Sequence, residues 1–311
     1  MKRNIASILP VLLLAALAGW LLLTRGDPVP AVRRVLIVSV DGLRPDLLVR
    51  GRAPAMQALM RRGSYTLHAR TVSEGYTVPS HVSMLTGVVP ARHGITWDRY
   101  IEDAYPSVPT LFELAHSKGF STALAVGKTK LIVLTKPGTL DWSHVGDEER
   151  EDDVDVAREA ASIFRRHHPD VFFVHLGRVD TVGHASGWGS VEQMQAIARA
   201  DEALGIIEDA LKETGLAEST IIILTADHGG AGYLHPPEDP LSQSIPWIAA
   251  GPSVRKNFDL TLVPGLVINT TATFATACAL LGIDVPGTLD GQTVRQILEK
   301  TPLKQMTGGA R

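Results

Sequence analysis

One cysteine, Cys278, stands in 311 residues, so the chain holds no disulfide framework and offers no second sulfur for a Cys-based zinc site. Excess charge is missing as well. Lys+Arg 30 against Asp+Glu 33 leaves a formal net charge of −3, which gives no electrostatic footprint for nucleic acid. Internal repeats and low-complexity tracts are absent, and 45% hydrophobic with 20% charged residues excludes a disordered or collagenous chain.

Charge is absent again from Ile5 to Leu23, a run interrupted only by Ser7, Pro10 and Gly19. Its length comes close to spanning a hydrocarbon core of roughly 30 Å. Lys2 and Arg3 ahead of it favour a cytoplasmic N-terminus. Ala16-Leu17-Ala18 offers a small-residue cleavage site, but the leucines at 21–23 are unusual after a removed signal. The expectation is a membrane anchor with its linker over residues 1–30 and one domain over 31–311, outside the cytoplasm. Secretion after signal cleavage is the alternative.

Beyond the linker, Arg34–Val40 is nearly continuous in apolar, β-branched residues, as a strand buried on both faces should be. Similar runs recur at Phe120–Val126, Val171–Leu176, Ile221–Thr225 and Ile245–Ala250. Helical stretches fall between them, at Ala53–Arg62, Thr110–Lys118, Val154–His167 and Val191–Lys212, and a further packed helix is expected at Thr270–Leu281 around Cys278. This alternation predicts an α/β domain with a mostly parallel central sheet and helices on both faces.

In such sheets ligands bind beyond the carboxyl ends of the strands. Reactive side chains collect there. Asp41 follows the first strand, Asp180 and His184 follow Val171–Leu176, and Asp227-His228-Gly229-Gly230 follows Ile221–Thr225, with His235 a few residues later. Asp227 and His228 reach one ion only if the chain leaves strand geometry, and the two glycines permit a turn. Mixed imidazole and carboxylate ligands suit zinc better than magnesium or calcium, and six are too many for one tetrahedral ion but suit a pair. Thr77, in Tyr76-Thr77-Val78-Pro79-Ser80-His81, would sit at a helix N-terminus, where anions are favoured.

In order, Val40-Asp41-Gly42, Thr77-Val78-Pro79-Ser80-His81, Pro90-Ala91-Arg92-His93-Gly94-Ile95, Asp180 with His184, Asp227-His228-Gly229 and His235 resemble the alkaline phosphatase superfamily. Within it the chain is most similar to the nucleotide pyrophosphatase/phosphodiesterase branch and to phosphonoacetate hydrolase, from about Arg34 to Leu289-Asp290-Gly291. The resemblance implies two zinc sites, other divalent metals being possible: Asp180, His184 and His235 at one, and Asp41, Asp227 and His228 at the other, with Thr77 bridging to a phosphoester or nucleotide-like substrate. It implies attack by Thr77 on phosphorus, a covalent phospho-intermediate and its hydrolysis. His81 and His93 are expected to steady the Thr77 loop by hydrogen bonds.

One departure stands out. Relatives usually carry an Asn after His-Gly-Ile that donates to a phosphoryl oxygen, and Asp98 takes that position here. A carboxylate accepts rather than donates and repels an anion. Lys128 and Lys130 lie in a stretch where phosphonoacetate hydrolase-like relatives place substrate-binding lysines. Sulfatase chemistry is excluded, because Thr77 and His81 stand where a Cys or Ser and an Arg would be required. Phosphomonoesterase and phosphonate hydrolase activities remain alternatives on the same residues, as does a weakly active metal-binding relative on account of Asp98.

Overall fold

The computed structural model describes residues 32–72, 75–148 and 150–299. The anchor expected over residues 1–30 lies outside them, and among the described residues no helix is long and apolar enough to cross a membrane.

The first strand, β1 (Arg34–Val40), is buried at every position, as its unbroken apolar run requires. Two short helices, α1 (Pro45–Arg50) and α2 (Pro54–Arg61), each with proline in the first turn, lead to β2 (Ser64–Arg70). After β2 come α3 (Thr77–Thr86), α4 (Pro90–His93) and α5 (Leu111–Ser117). Next come β3 (Thr122–Val126), β4 (Trp142–Val145) and α6 (Asp153–His167). The Asp152 carboxylate caps α6 by accepting from the N–H groups of Val154 and Asp155, while Asp155 returns the bond to the Asp152 N–H.

The remaining strands are β5 (Val171–Leu176), β6 (Thr220–Thr225), β7 (Ser244–Ala250) and the short β8 (Phe258–Asp259). Between β5 and β6 run α7 (Arg178–Ser186) and α8 (Val191–Glu213); α9 (Pro240–Gln243) precedes β7 and α10 (Ala272–Leu281) follows β8. The eight strands lie in the order β4-β3-β5-β1-β6-β7-β2-β8. Every neighbouring pair is parallel except those made by β7 with β6 and β2. Helices α2, α6 and α7 pack on α8, and α4, α5 and α10 pack on α3. Buried Asp201 of α8 serves as a remote cap for α2, accepting from the N–H groups of Ala55 (3.0 Å) and Met56 (2.8 Å).

The mostly parallel α/β sheet matches the expected fold class. Its consequence is that β1, β3, β5 and β6, adjacent and parallel, end along one edge. The segments leaving those ends carry Asp41, Lys128, Asp180 and Asp227.

Candidate active site

Each acidic group is delivered by the way its strand ends. Asp41 directly follows β1, and Gly42 then takes a left-handed φ of +71°. A Cβ on Gly42 would meet the Asp180 Cα at 3.0 Å, so glycine lets these two segments touch. Asp180 and His184 sit four residues apart on α7, hence on one face, with His184 Nε2 3.4 Å from Asp180 Oδ1.

Asp227 and His228 lie past the end of β6, outside strand geometry as the sequence required. The glycines that follow do not supply a left-handed turn, because neither has positive φ. Gly230 instead lets the Trp188 ring press against the backbone, and Gly229 admits the Leu241 carbonyl. Close approach is the reason for glycine here.

These segments bring six ligand-type side chains together. Asp180, His184 and His235 form one group able to hold an ion, and Asp41, Asp180 and His228 form another. His228 Nε2 lies 3.4 Å from Asp41 Oδ1, 3.9 Å from Asp180 Oδ1 and 3.3 Å from Asp227 Oδ2. The His228 and His235 rings stack at 3.9 Å between centroids.

Second atoms fix the first. His228 Nδ1–H donates to the Gly229 carbonyl and His184 Nδ1–H to the Tyr233 carbonyl, each at 2.8 Å, which leaves each Nε2 as a lone-pair donor. Asp227 Oδ1 accepts from the N–H groups of Gly42 (3.1 Å) and His228 (2.9 Å). What remains are buried atoms with no hydrogen-bond partner: Asp41 Oδ1, Asp180 Oδ1, Asp227 Oδ2, His228 Nε2 and His235 Nδ1. Buried polar atoms are rarely left so, and the first four, gathered around His228 Nε2, are a donor set that fits divalent cations.

The electrostatics agree. Burial alone would raise Asp41, but Lys128, His175 and His228 hold its carboxyl well below the ordinary range. Burial and the neighbouring Asp41 charge push Asp227 upward, with Asp180 adding to the effect. Burial disfavours a charged His228, yet Asp227, Asp180 and Asp41 together raise it. Crowded carboxylates raise Asp227 and His228, while the cationic and hydrogen-bonding neighbours lower Asp41.

Lys128 sits differently from the expectation for a substrate-binding cation. Its ammonium is buried, 5% exposed, and bonds Asp180 Oδ2 at 2.6 Å and Asp41 Oδ2 at 2.8 Å. A charge committed to two carboxylates is not available to grip an anion. Lys130 is also engaged, 2.9 Å from Asp98 Oδ2. Asp98 in turn accepts from the Val78 N–H at 2.8 Å, so its carboxylate lies at the N-terminus of the helix that begins with Thr77.

Thr77 is the first residue of α3 and is 1% exposed. His81 Nδ1–H donates to the Thr77 carbonyl at 2.7 Å, and Ser39 Oγ–H donates to His81 Nε2 at 2.8 Å. Ser80 Oγ–H reaches the Asp227 carbonyl at 2.8 Å, and Thr71 Oγ1 bonds the same carbonyl. The helix start is thereby tied to the Asp227 segment. His93 bonds Ser83 Oγ of α3 at 3.0 Å and the backbone of Pro79, two residues from Thr77.

Two residues escaped the sequence reading. His175, the last residue but one of β5, donates from Nε2 to Asp41 Oδ2 at 2.9 Å. A histidine within a wholly buried strand, Val171-Phe172-Phe173-Val174-His175-Leu176, was its signal. Trp188 bonds the Gly42 carbonyl through Nε1 at 2.9 Å and sets its ring against His184 and His235. Nothing in the sequence marked it.

Comparison with known proteins adds to this geometry. The sequence profile of the type I phosphodiesterase / nucleotide pyrophosphatase family matches residues 35–243. Mouse (Mus musculus) ectonucleotide pyrophosphatase/phosphodiesterase family member 1 is 26% identical over 216 residues, which is 62% of this chain and 24% of that one. Bis(5'-adenosyl)-triphosphatase ENPP4 of Bos taurus is 26% identical over 251 residues, 70% of this chain and 52% of that one. The chain thus spans a quarter to a half of the length of these relatives. Among solved structures, an inactive variant of murine ectonucleotide pyrophosphatase/phosphodiesterase 5 in complex with AMP superposes with a TM-score of 0.74 at 16% identity, over 86% of this chain and all of that one. Human ectonucleotide pyrophosphatase/phosphodiesterase 5 gives 0.72 at 17% identity with the same coverage. With the family profile matched over two-thirds of its length and the same fold, the chain belongs to the type I phosphodiesterase / nucleotide pyrophosphatase family.

Proposed function

We propose that this protein hydrolyses phosphodiester or pyrophosphate bonds of nucleotide-like substrates, with Thr77 as the nucleophile and two divalent cations, zinc foremost, as cofactors. Asp41, Asp227 and His228 would hold one cation, and Asp180, His184 and His235 the other. When bound, the two cations would supply the positive charge that acidifies the Thr77 hydroxyl and offsets charge on the phosphoryl oxygens.

The remaining chemistry falls to the chain. Thr77 Oγ1 forms a bond to phosphorus as the bond to the leaving group breaks, and the hydroxyl proton ends on the departing alcohol or phosphate. Water then displaces Thr77 from phosphorus and restores the hydroxyl. His81 fixes the carbonyl of Thr77, and Ser80 and Thr71 fix the Asp227 segment, so nucleophile and ligands are held in register.

The observation that carries the reading is the set of unpartnered ligand atoms converging beside the start of α3. Charge then favours diesters over monoesters. Three carboxylates and the Lys128 ammonium sum to −2, so two divalent cations leave +2, which an ionised Thr77 and a singly charged phosphodiester neutralise. A monoester dianion would need one more cation, and Lys130 is already engaged by Asp98.

The test is a panel of nitrophenyl phosphodiesters, dinucleoside polyphosphates, phosphomonoesters and phosphonates, assayed on zinc-loaded wild type and Thr77→Ala. Diester or pyrophosphate turnover reduced at least about a thousandfold by Thr77→Ala is the expected result. A weakly active or purely binding relative is the second reading, motivated by the Asp98 carboxylate on the Val78 N–H. Bound zinc with no Thr77-dependent turnover of any panel member would favour it. The anchor at residues 1–30 belongs to the same proposal and places the domain outside the cytoplasm, tethered or, after cleavage, secreted; cell fractionation with protease shaving of intact cells separates the two.

A further inference from the structure

Lys128 divides the carboxylates it touches. On Asp41 and Asp180 it takes only the Oδ2 atoms, at 2.8 and 2.6 Å, and His175 adds a second bond to Asp41 Oδ2 at 2.9 Å. The Oδ1 atoms of the same carboxylates are left without partners and turned toward His228 Nε2. The ammonium therefore does not stand where a cation would be ligated. It stands behind the carboxylates and aims them.

Local structure makes this position possible. Lys128 follows β3, whose neighbour β5 is followed by Gly177, and a Cβ on Gly177 would meet the Lys128 side chain at 3.4 Å. The lysine stem thus runs alongside Gly177 to the carboxylates carried by the segments after β1 and β5. A buried ammonium is costly unless charge and hydrogen bonds compensate it, and here two carboxylates do so.

We propose that Lys128 is a positioning residue: a permanent internal cation that holds Asp41 and Asp180 in ligand-ready orientation before any metal arrives and lowers the affinity of the metals that follow. This rests on the metal-dependent reading above. Without the ammonium, the buried carboxylates of Asp41 and Asp180 lose the cation that bonds both of them in the metal-free protein, whereas the metal-bound protein regains positive charge. Removing Lys128 must then harm the metal-free form more than the zinc form.

The experiment compares wild type, Lys128→Met, Asp180→Asn and the double variant as full chains, each after chelation and each with zinc. The readouts are melting temperature and calorimetric zinc affinity. Chelated Lys128→Met should melt several degrees lower than wild type, about 5 °C, and the double variant should recover most of that loss because no carboxylate at 180 remains to be neutralised. The zinc-induced rise in melting temperature should be larger in Lys128→Met than in wild type, with zinc bound about tenfold more tightly. If Lys128→Met folds only with zinc present, that is the extreme of the same result. Equal melting of the chelated forms, or a zinc shift in Lys128→Met no larger than in wild type, overturns the proposal. Absence of any zinc shift in wild type would instead refute the metal-dependent reading, while the chelated double-variant comparison still tests Lys128 alone.

Discussion

Single side chains set the charge that a substrate meets. Asp98 places a carboxylate on the Val78 N–H at the start of α3, balanced by Lys130. Asp98→Asn keeps an acceptor for Val78 but removes the negative charge and releases Lys130. Diester turnover is expected to rise by about tenfold or less, the scale of a partly exposed charge. Monoester turnover should gain more, since a free ammonium now faces the second charge. Steady-state rates on matched nitrophenyl mono- and diesters measure both, and unchanged rates would remove Asp98 from the substrate's path.

Away from this cluster, Asp153 is a buried acid with a sharper consequence for stability. Burial raises it to about 7, against the bonds it accepts near the start of α7. Between about pH 4 and pH 7 the folded chain keeps a proton that the unfolded chain has released, so stability falls as pH rises through that window. Asp153→Asn retains the acceptor for the Arg178 N–H, 3.1 Å away, and has no charge to bury. Melting curves should show the variant equal to wild type near pH 4 and more stable by a few kcal/mol at pH 8. A wild-type advantage at pH 8 would contradict this account of Asp153.

Elements position these groups, and their legibility in the sequence varied with burial. Strands β1, β5 and β6, buried at every position, were readable as apolar runs within a residue of their ends. The strands β2, β4 and β8 were not. Ser64–Arg70 mixes buried and exposed positions, and β4 and β8 are short and half-buried, so no apolar run announces them. Asp180 and His184 were found as a strand-end pair, and their spacing of four was also the sign of the helix α7 that presents them. The convergence of these carboxylates and imidazoles was legible because residue type and strand-end position suffice to expect it. The partners of Lys128 and Asp98 were not, because pairing across β3, β1 and α3 is a property of the folded sheet.

Glycine at the turn after β6 makes an element-level prediction. Gly230 lies under the Trp188 ring, and an added Cβ would collide with it. Trp188 in turn supports His184 and His235. Gly230→Ala is expected to destabilise the fold by about 1–3 kcal/mol and to weaken zinc binding. Denaturant unfolding and zinc calorimetry check both, and wild-type values in both would show that the ring has room to move.

At the scale of the whole molecule, adjacent parallel strands deliver three carboxylates and an ammonium to one sheet edge, and Ser80 ties the start of α3 to them through the Asp227 carbonyl. The account's central claim is that Thr77 passes through a covalent intermediate there. The most direct measurement is the stereochemical course at phosphorus, using an isotopically chiral phosphorothioate diester hydrolysed by the zinc-loaded enzyme. Two successive in-line displacements, first by Thr77 and then by water, predict net retention of configuration. Net inversion would mean that water attacks the diester directly and that Thr77 is not the nucleophile.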